Sequence, residues 1–233
     1  CGHDVIVANS RKLRLIYENP NKDDRVDARY LARLARFEPA LLCPVEHRDA
    51  SAQKDLALLR SRDALVVART LLVNHVRGVA KSFGQRLPAC STGCFSKVIS
   101  TQIPELLEPA LVPVLEQIAA LSQQIKSLNQ KIQILADDHY PQTKLLRQGK
   151  GIGPITSLAF VLTLGDPRRF GKSRTVGAFL GLVPGRKQSG HSDPERRITK
   201  QGDSGLRRPL VNAAHYIPGP FGPACDLRRF GQK

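Results

Sequence analysis

Apolar residues recur along this chain in steps of three and four, the helical period, far more often than in steps of two. The clearest stretch is Leu111, Val114, Ile118, Leu121, Ile125, Leu128, Ile132 and Leu135, a heptad seam. Pro104, Pro109 and Pro113 stand at its start, so the regular coil is expected to begin near Pro113. Such a seam is buried either against a second copy of the chain or against another helix of the same chain. We expect residues 113–136 to pair between chains, with antiparallel pairing to residues 50–83 as the alternative. That earlier stretch carries Leu56, Leu59, Leu65, Val76 and Val79 at helical spacing, with Arg60, Arg62, Arg69 and Arg77 among them, and ends at Gly84 and Pro88.

The remaining elements are shorter. Residues 3–8 read as a buried strand, and residues 10–17 as a short basic helix broken at Asn19-Pro20-Asn21. A helix is predicted from about Asp23 to just before Pro39. Residues 89–100 are small and polar and predict a loop. Beyond Tyr140, helices are predicted over 155–164, 175–180 and 204–215, with a Gly, Ser, Lys and Arg-rich loop over 184–195. Pro218, Pro220 and Pro223 are expected to end regular structure. The pattern predicts a mainly α fold with an α/β remnant at its start.

Charge narrows the function. Of the formal +16, residues 141–233 hold 17 basic and 5 acidic side chains, a net of +12. A local excess of this size is what a polyanion-binding surface needs. An anionic membrane would be met by a long amphipathic helix with an aromatic face, which this region lacks, so nucleic acid is the expected partner. No apolar run reaches the length of a membrane span, and no signal peptide opens the chain. The five cysteines are irregularly spaced, with one C-x3-C pair at Cys90 and Cys94, and are expected to be reduced thiols. The chain begins at Cys1 and contains no Met, so sequence is expected to be missing upstream.

Four motifs carry candidate chemistry. Asp24 and Asp27 lie three apart on a helix, so their carboxylates share a face. Hard oxygen ligands of this kind suit Mg²⁺, while acidic residues in a first turn also simply favour the helix dipole. Gly149-Lys-Gly151-Ile-Gly153-Pro154 precedes an apolar helix and looks like the hairpin of a helix-hairpin-helix motif, in which backbone N–H groups meet a phosphate. It is not a P-loop, because no Gly-Lys-Ser/Thr follows. Ser189 stands next to Gly190 and near Arg186, Lys187 and His191, cations that would offset the repulsion between an attacking hydroxyl and a phosphate. Taken alone, that loop also reads as an ordinary solvated one, and Gln188-Ser189-Gly190 is no Gly-x-Ser-x-Gly elbow. Arg197, Lys200, Arg207 and Arg208 lie in a basic turn that leads into a helix and suits phosphate contacts.

In order and spacing these segments resemble the DEDD insertion-sequence transposases, whose recently recognised members are recombinases guided by a bridge RNA. The resemblance rests on residues 2–9, Lys22-Asp-Asp-Arg-Val-Asp-Ala28, residues 69–78, Gly151-Ile-Gly-Pro154, Gly165-Asp-Pro-Arg-Arg-Phe170, Gly181-Leu-Val-Pro184, Ser189-Gly190, Arg197-Ile-Thr-Lys200 and Leu206-Arg-Arg208. It implies that residues 1–49 are the C-terminal remnant of an RNase H-like domain, 50–103 a helical linker, 104–139 a coiled-coil helix, and 140–233 a compact helical transposase domain. It implies that Asp24 and Asp27 are the last two of four Mg²⁺-binding carboxylates, the other two lying upstream of Cys1. Ser189 matches the serine nucleophile that becomes linked to DNA, and Ser192 is a weaker alternative. Gly151, Gly153, Arg186, Lys187, Arg197, Lys200, Arg207 and Arg208 are the expected nucleic-acid contacts. Expected partners are DNA, a guide RNA and further copies of the chain, in a bacterial or archaeal cytoplasm, associated with the nucleoid. The family usually continues with further basic helical sequence where this chain stops at Lys233. With half of the carboxylate set absent, the fragment itself is expected to be inactive. Two further readings are a catalytically dead nucleic-acid-binding remnant, and an unrelated helix-hairpin-helix DNA-binding protein, which would leave Asp24, Asp27 and Ser189 unexplained.

Overall fold

Asp23 starts the first helix by accepting a hydrogen bond from the Arg25 N–H at 2.9 Å, and α1 runs Asp24–Phe37. The residue before a proline disfavours helical backbone, so α1 ends at Glu38, ahead of Pro39. A 3-10 turn, Pro39–Leu42, follows, and Cys43 takes a left-handed φ of 47°. The computed structural model describes residues 2, 5–10, 12, 13, 16, 18, 23–45, 48–190, 192–220 and 222–231. Within them the chain divides into two units, 1–49 and 50–233.

The first unit corrects one expectation. Residues 5–8 form no strand, and Val5, Ile6 and Val7 are 82%, 45% and 39% exposed. This backbone is held at two points, Val45 N–H to Val7 O at 2.8 Å and Asn9 N–H to Leu42 O at 3.1 Å. No other described segment supplies the ladder that a buried strand needs. Most of the basic helix expected over 10–17 lies outside the described residues.

The second unit is built on two long antiparallel helices, α2 (Ala50–Ser82) and α4 (Glu108–Asp138). Two side-chain bonds set their register: Arg62 Nε donates to Asn129 Oδ1 at 3.0 Å, and Arg69 Nη1 donates to Ser122 Oγ at 3.3 Å. One heptad forward on α2 is thus one heptad back on α4. The same step places Leu59 by Ile132, Val73 by Ile118, Val76 by Leu115 and Ala80 by Leu111, all of them buried. The heptad on α4 is therefore covered within the chain, the alternative arrangement. Leu115 and Ala136 are buried in it, whereas Val114, Leu121, Leu128 and Leu135 are only half-buried. The helix begins at Glu108, with Pro109 in its first turn and Pro113 inside it.

Apolar clusters close both ends of this pair. At one end Val73, Val76, Leu111, Leu115 and Ile118 pack with Phe95, Ile99, Ile103 and Leu107. Residues 89–100 are thus not all loop, since α3 (Phe95–Ile99) seals the cluster with Phe95 and Ile99 fully buried. Arg77 fastens it, donating to Pro88 O at 3.0 Å and stacking 5.0 Å from the Phe95 ring centroid. At the other end Leu56, Leu59, Ile132 and Ala136 pack with Leu158, Ala159 and Leu162 of α6 (Pro154–Leu164), with Leu180, and with Leu206. Leu206 lies on α8 (Ser204–Tyr216). Between these helices lie α5 (Thr143–Leu146) and α7 (Arg174–Phe179), and α9 (Asp226–Gly231) follows Pro223, where regular structure was expected to have ended. Replacing Ile118 with Ala leaves a cavity between α2 and α4. We expect a loss of about 2–5 kcal/mol, read as a lower urea midpoint at unchanged m-value.

Candidate nucleic-acid interface

The longest excursion from the α6–α8 body is the arm between Gly181 and Gly202. Its two sides are tied by Lys200 N–H to Gly181 O at 3.0 Å, Thr199 N–H to Val183 O at 2.9 Å and Gly185 N–H to Arg197 O at 2.9 Å. Farther out Arg186 pairs with Asp193 at 3.1 Å. At the tip Ser189 and Ser192 exchange two backbone hydrogen bonds, each 3.0 Å, around a turn that uses a left-handed Gly190. The loop expected over 184–195 is therefore a two-sided arm that carries Ser189 exposed at its end. His191 lies outside the described residues.

Cations cluster on the arm. Lys187, Arg196, Arg197 and Lys200 are exposed. The Arg186–Asp193 pair is also exposed, and such a pair contributes little in water, so a phosphate can replace Asp193. Arg208 pairs with Asp63 at 3.3 Å, again on the surface. Arg207 differs, because its Nη1 is engaged with the carbonyls of Leu180 and Gly202.

The glycine turn before α6 packs on α8. A side chain at Gly151, whose φ is +83°, would meet Tyr216 at 3.1 Å and the Ala213 carbonyl at 3.2 Å, so glycine is needed there. Gly153 then caps α6 without a side-chain bond, and Pro154 takes the first helical position. An open cleft of about 410 Å³ lies beside this helix start, lined by Gly151, Ile155, Thr156, Asn212, Tyr216 and Arg62 among others. Burial pushes the Arg62 guanidinium below its usual value, and Arg69 adds to that, against the pull of Asp63. Arg62, Asn212 and Tyr216 were not legible as site residues, because only the fold brings them to the turn.

In the first unit Asp24 and Asp27 occupy the first turn of α1. One oxygen of Asp27, Oδ1, is buried and has no hydrogen-bond partner among the described residues. Among the described residues no group of three or more His, Cys, Asp and Glu side chains converges as a metal site.

The comparisons bear on both units. Residues 143–217 match the transposase IS116/IS110/IS902 family, and residues 1–84 match a DEDD transposase family described simply as transposase. The chain carries domains of the IS110/IS116/IS902 transposase family. It is 30% identical over 208 residues to a probable family 20 transposase of Pseudomonas aeruginosa, covering 86% of this chain and 61% of that protein. It is 31% identical over 218 residues to the transposase for insertion sequence element IS1328 of Yersinia enterocolitica, covering 91% and 64%. It is 28% identical over 207 residues to the transposase for insertion sequence element IS1111A of Coxiella burnetii, covering 86% and 56%. The chain thus spans about three fifths of the length of these relatives. The two family segments are separated by residues 85–142, which hold α3 and all of α4. The second segment contains the glycine turn, the arm and α8.

Proposed function

We propose that this chain is the DNA-handling portion of an insertion-sequence transposase, cutting and joining DNA through Ser189. The observation that carries the reading is Ser189, exposed at the tip of an arm whose flanks hold Lys187, Arg196, Arg197 and Lys200. The Ser189 hydroxyl attacks a backbone phosphorus and gives up its proton. The Oγ–P bond replaces one P–O bond, and the departing deoxyribose oxygen takes a proton. The arm cations, together with Arg186 and Arg208 released from Asp193 and Asp63, neutralise the phosphate on approach. Gly151 and Gly153 shape the second contact, where N–H groups at the start of α6 meet a phosphate of the same DNA.

Asp24 and Asp27 fit a share of a Mg²⁺ site. Both are oxygen donors on one helical turn, and the unpartnered Asp27 Oδ1 is a ligand atom without another role. When bound, the ion supplies charge stabilisation at the reacting phosphate. We read residues 1–49 as the end of an RNase H-like domain that brings the other carboxylates. A guide RNA and a nucleoid location belong to the same reading. Two carboxylates in one helical turn are a small share of a Mg²⁺ ligand set, so this chain by itself is read as binding DNA without turning it over. The test is a covalent protein–DNA band formed by an upstream-extended form and absent from its Ser189→Ala variant.

Association between chains belongs to the proposal as well. Leu65 on α2 and Leu121 and Leu128 on α4 are half-buried, whereas the main seam is already covered. Joining two such rows removes further apolar surface from water. Replacing Leu121 and Leu128 with Lys is expected to lower the mass measured by light scattering. A parent that is monomeric at the outset would contradict the association.

A further inference from the structure

The arm leaves the helical body at Leu180-Gly181 and rejoins it at Gly202-Asp203, and the two feet cross at contact distance. A Cβ on Gly181 would lie 2.5 Å from the Gln201 nitrogen, and one on Gly202 would strike the Leu180 backbone. Lys200, beside the crossing, holds a left-handed φ of 56° and donates its N–H to Gly181 O. One side chain joins the feet. Arg207 Nη1 donates to Leu180 O at 3.0 Å and to Gly202 O at 3.0 Å. Its neighbour Leu206 is 1% exposed in the core, and Asp203 caps the same helix by accepting from the N–H groups of Gly205 and Leu206. The guanidinium therefore projects from an anchored turn.

We propose that Arg207 is a positioning residue, the clamp that sets the angle of the arm and hence the place of Ser189. Its role as a phosphate contact, expected from its basic neighbourhood, gives way to this one. The proposal rests on the reading of Ser189 as the reacting group only for its consequence. The clamp itself is a statement about the arm. The reach from Gly181 to Ser189 is eight residues, at most about 26 Å when extended, so a few degrees at the feet displace the tip by about 2 Å. A displacement of 1 Å can already cost about a hundredfold in rate. Arginine suits the task because its planar fork holds several donors in fixed geometry, whereas lysine offers a single flexible ammonium.

The test is amide hydrogen exchange on the 233-residue chain, followed by DNA binding at several salt concentrations. In Arg207→Gln the amides of Gly185, Thr199 and Lys200 are expected to exchange at least about tenfold faster, while those of α6 keep their protection. Arg207→Lys should show a smaller increase. The slope of log K against log salt should stay unchanged, whereas loss of a phosphate contact would lower it by about 0.9. Unchanged arm exchange in Arg207→Gln, or a slope lower by that amount, overturns the clamp. If Arg207→Gln also exposes α6, Arg207→Lys decides, and an arm as protected as in the parent counts against the proposal. Exchange needs no DNA, so a chain that binds none speaks against the proposed function and leaves the clamp to the exchange result. In an upstream-extended form, Arg207→Gln should slow covalent adduct formation at unchanged DNA affinity. An adduct that survives Ser189→Ala would refute the nucleophile without touching the clamp.

Discussion

Raising salt from 50 to 200 mM is expected to weaken binding of this chain to duplex DNA by roughly 500-fold. The estimate follows from about five neutralised phosphates, for which log K falls with log salt at a slope near −4 to −5. The charge is in place for it, since residues 141–233 carry 17 basic against 5 acidic side chains. Five exposed cations, Lys150, Lys187, Arg196, Arg197 and Lys200, lie on the glycine turn and the arm. The whole chain is the proper sample, because α6 and α8 bury Leu158, Leu162 and Leu206 against Leu56, Leu59 and Ile132 of α2 and α4. Cutting at residue 141 would expose that core. Changing Lys187 and Arg197 together to Gln should lower the slope by about 1.8, as two lost phosphate contacts require. A slope near zero for the parent would contradict a phosphate-binding surface.

The fold was legible where one helix carried an unbroken apolar period. Residues 111–135 announced a coil, but not what covers it. The partner, α2, places Arg62 and Arg69 at two seam positions, facing Asn129 and Ser122, so it does not read as a heptad. Charge at those positions hid the pairing. The Val-Ile-Val run at residues 5–7 misled in the opposite way, because β propensity reports fitness for a half-buried pleated surface and none of the described residues supplies one. The α3 turn was missed because small polar residues precede Phe95, and its stability comes from burying Phe95 and Ile99 rather than from local preference.

The candidate site was legible in residue types but not in their geometry. Basic character drew attention to Arg207 and Arg208 alike. Only the structure shows one guanidinium on two main-chain carbonyls and the other on a surface carboxylate. Ser189 stood out through family resemblance, since a serine in a polar loop carries no signal of its own. Asp24 and Asp27 were visible as a pair, while the orphaned Oδ1 of Asp27 needed coordinates.

The proposed function rests on Ser189 attacking DNA, with Asp24 and Asp27 as a share of a Mg²⁺ site. Two carboxylates on one turn leave most of a Mg²⁺ coordination sphere to water, so the ion would be weakly held and poorly oriented. Misplacement alone removes orders of magnitude in rate. The most direct measurement is a covalent-adduct assay with donor DNA, Mg²⁺ and the cognate RNA, run on the 233-residue chain, on an upstream-extended form and on the extended Ser189→Ala variant. The account predicts a protein–DNA band from the extended form alone. A Ser189-dependent band from the 233-residue chain would contradict its inactivity, and a band that persists in the Ser189→Ala variant would contradict the nucleophile.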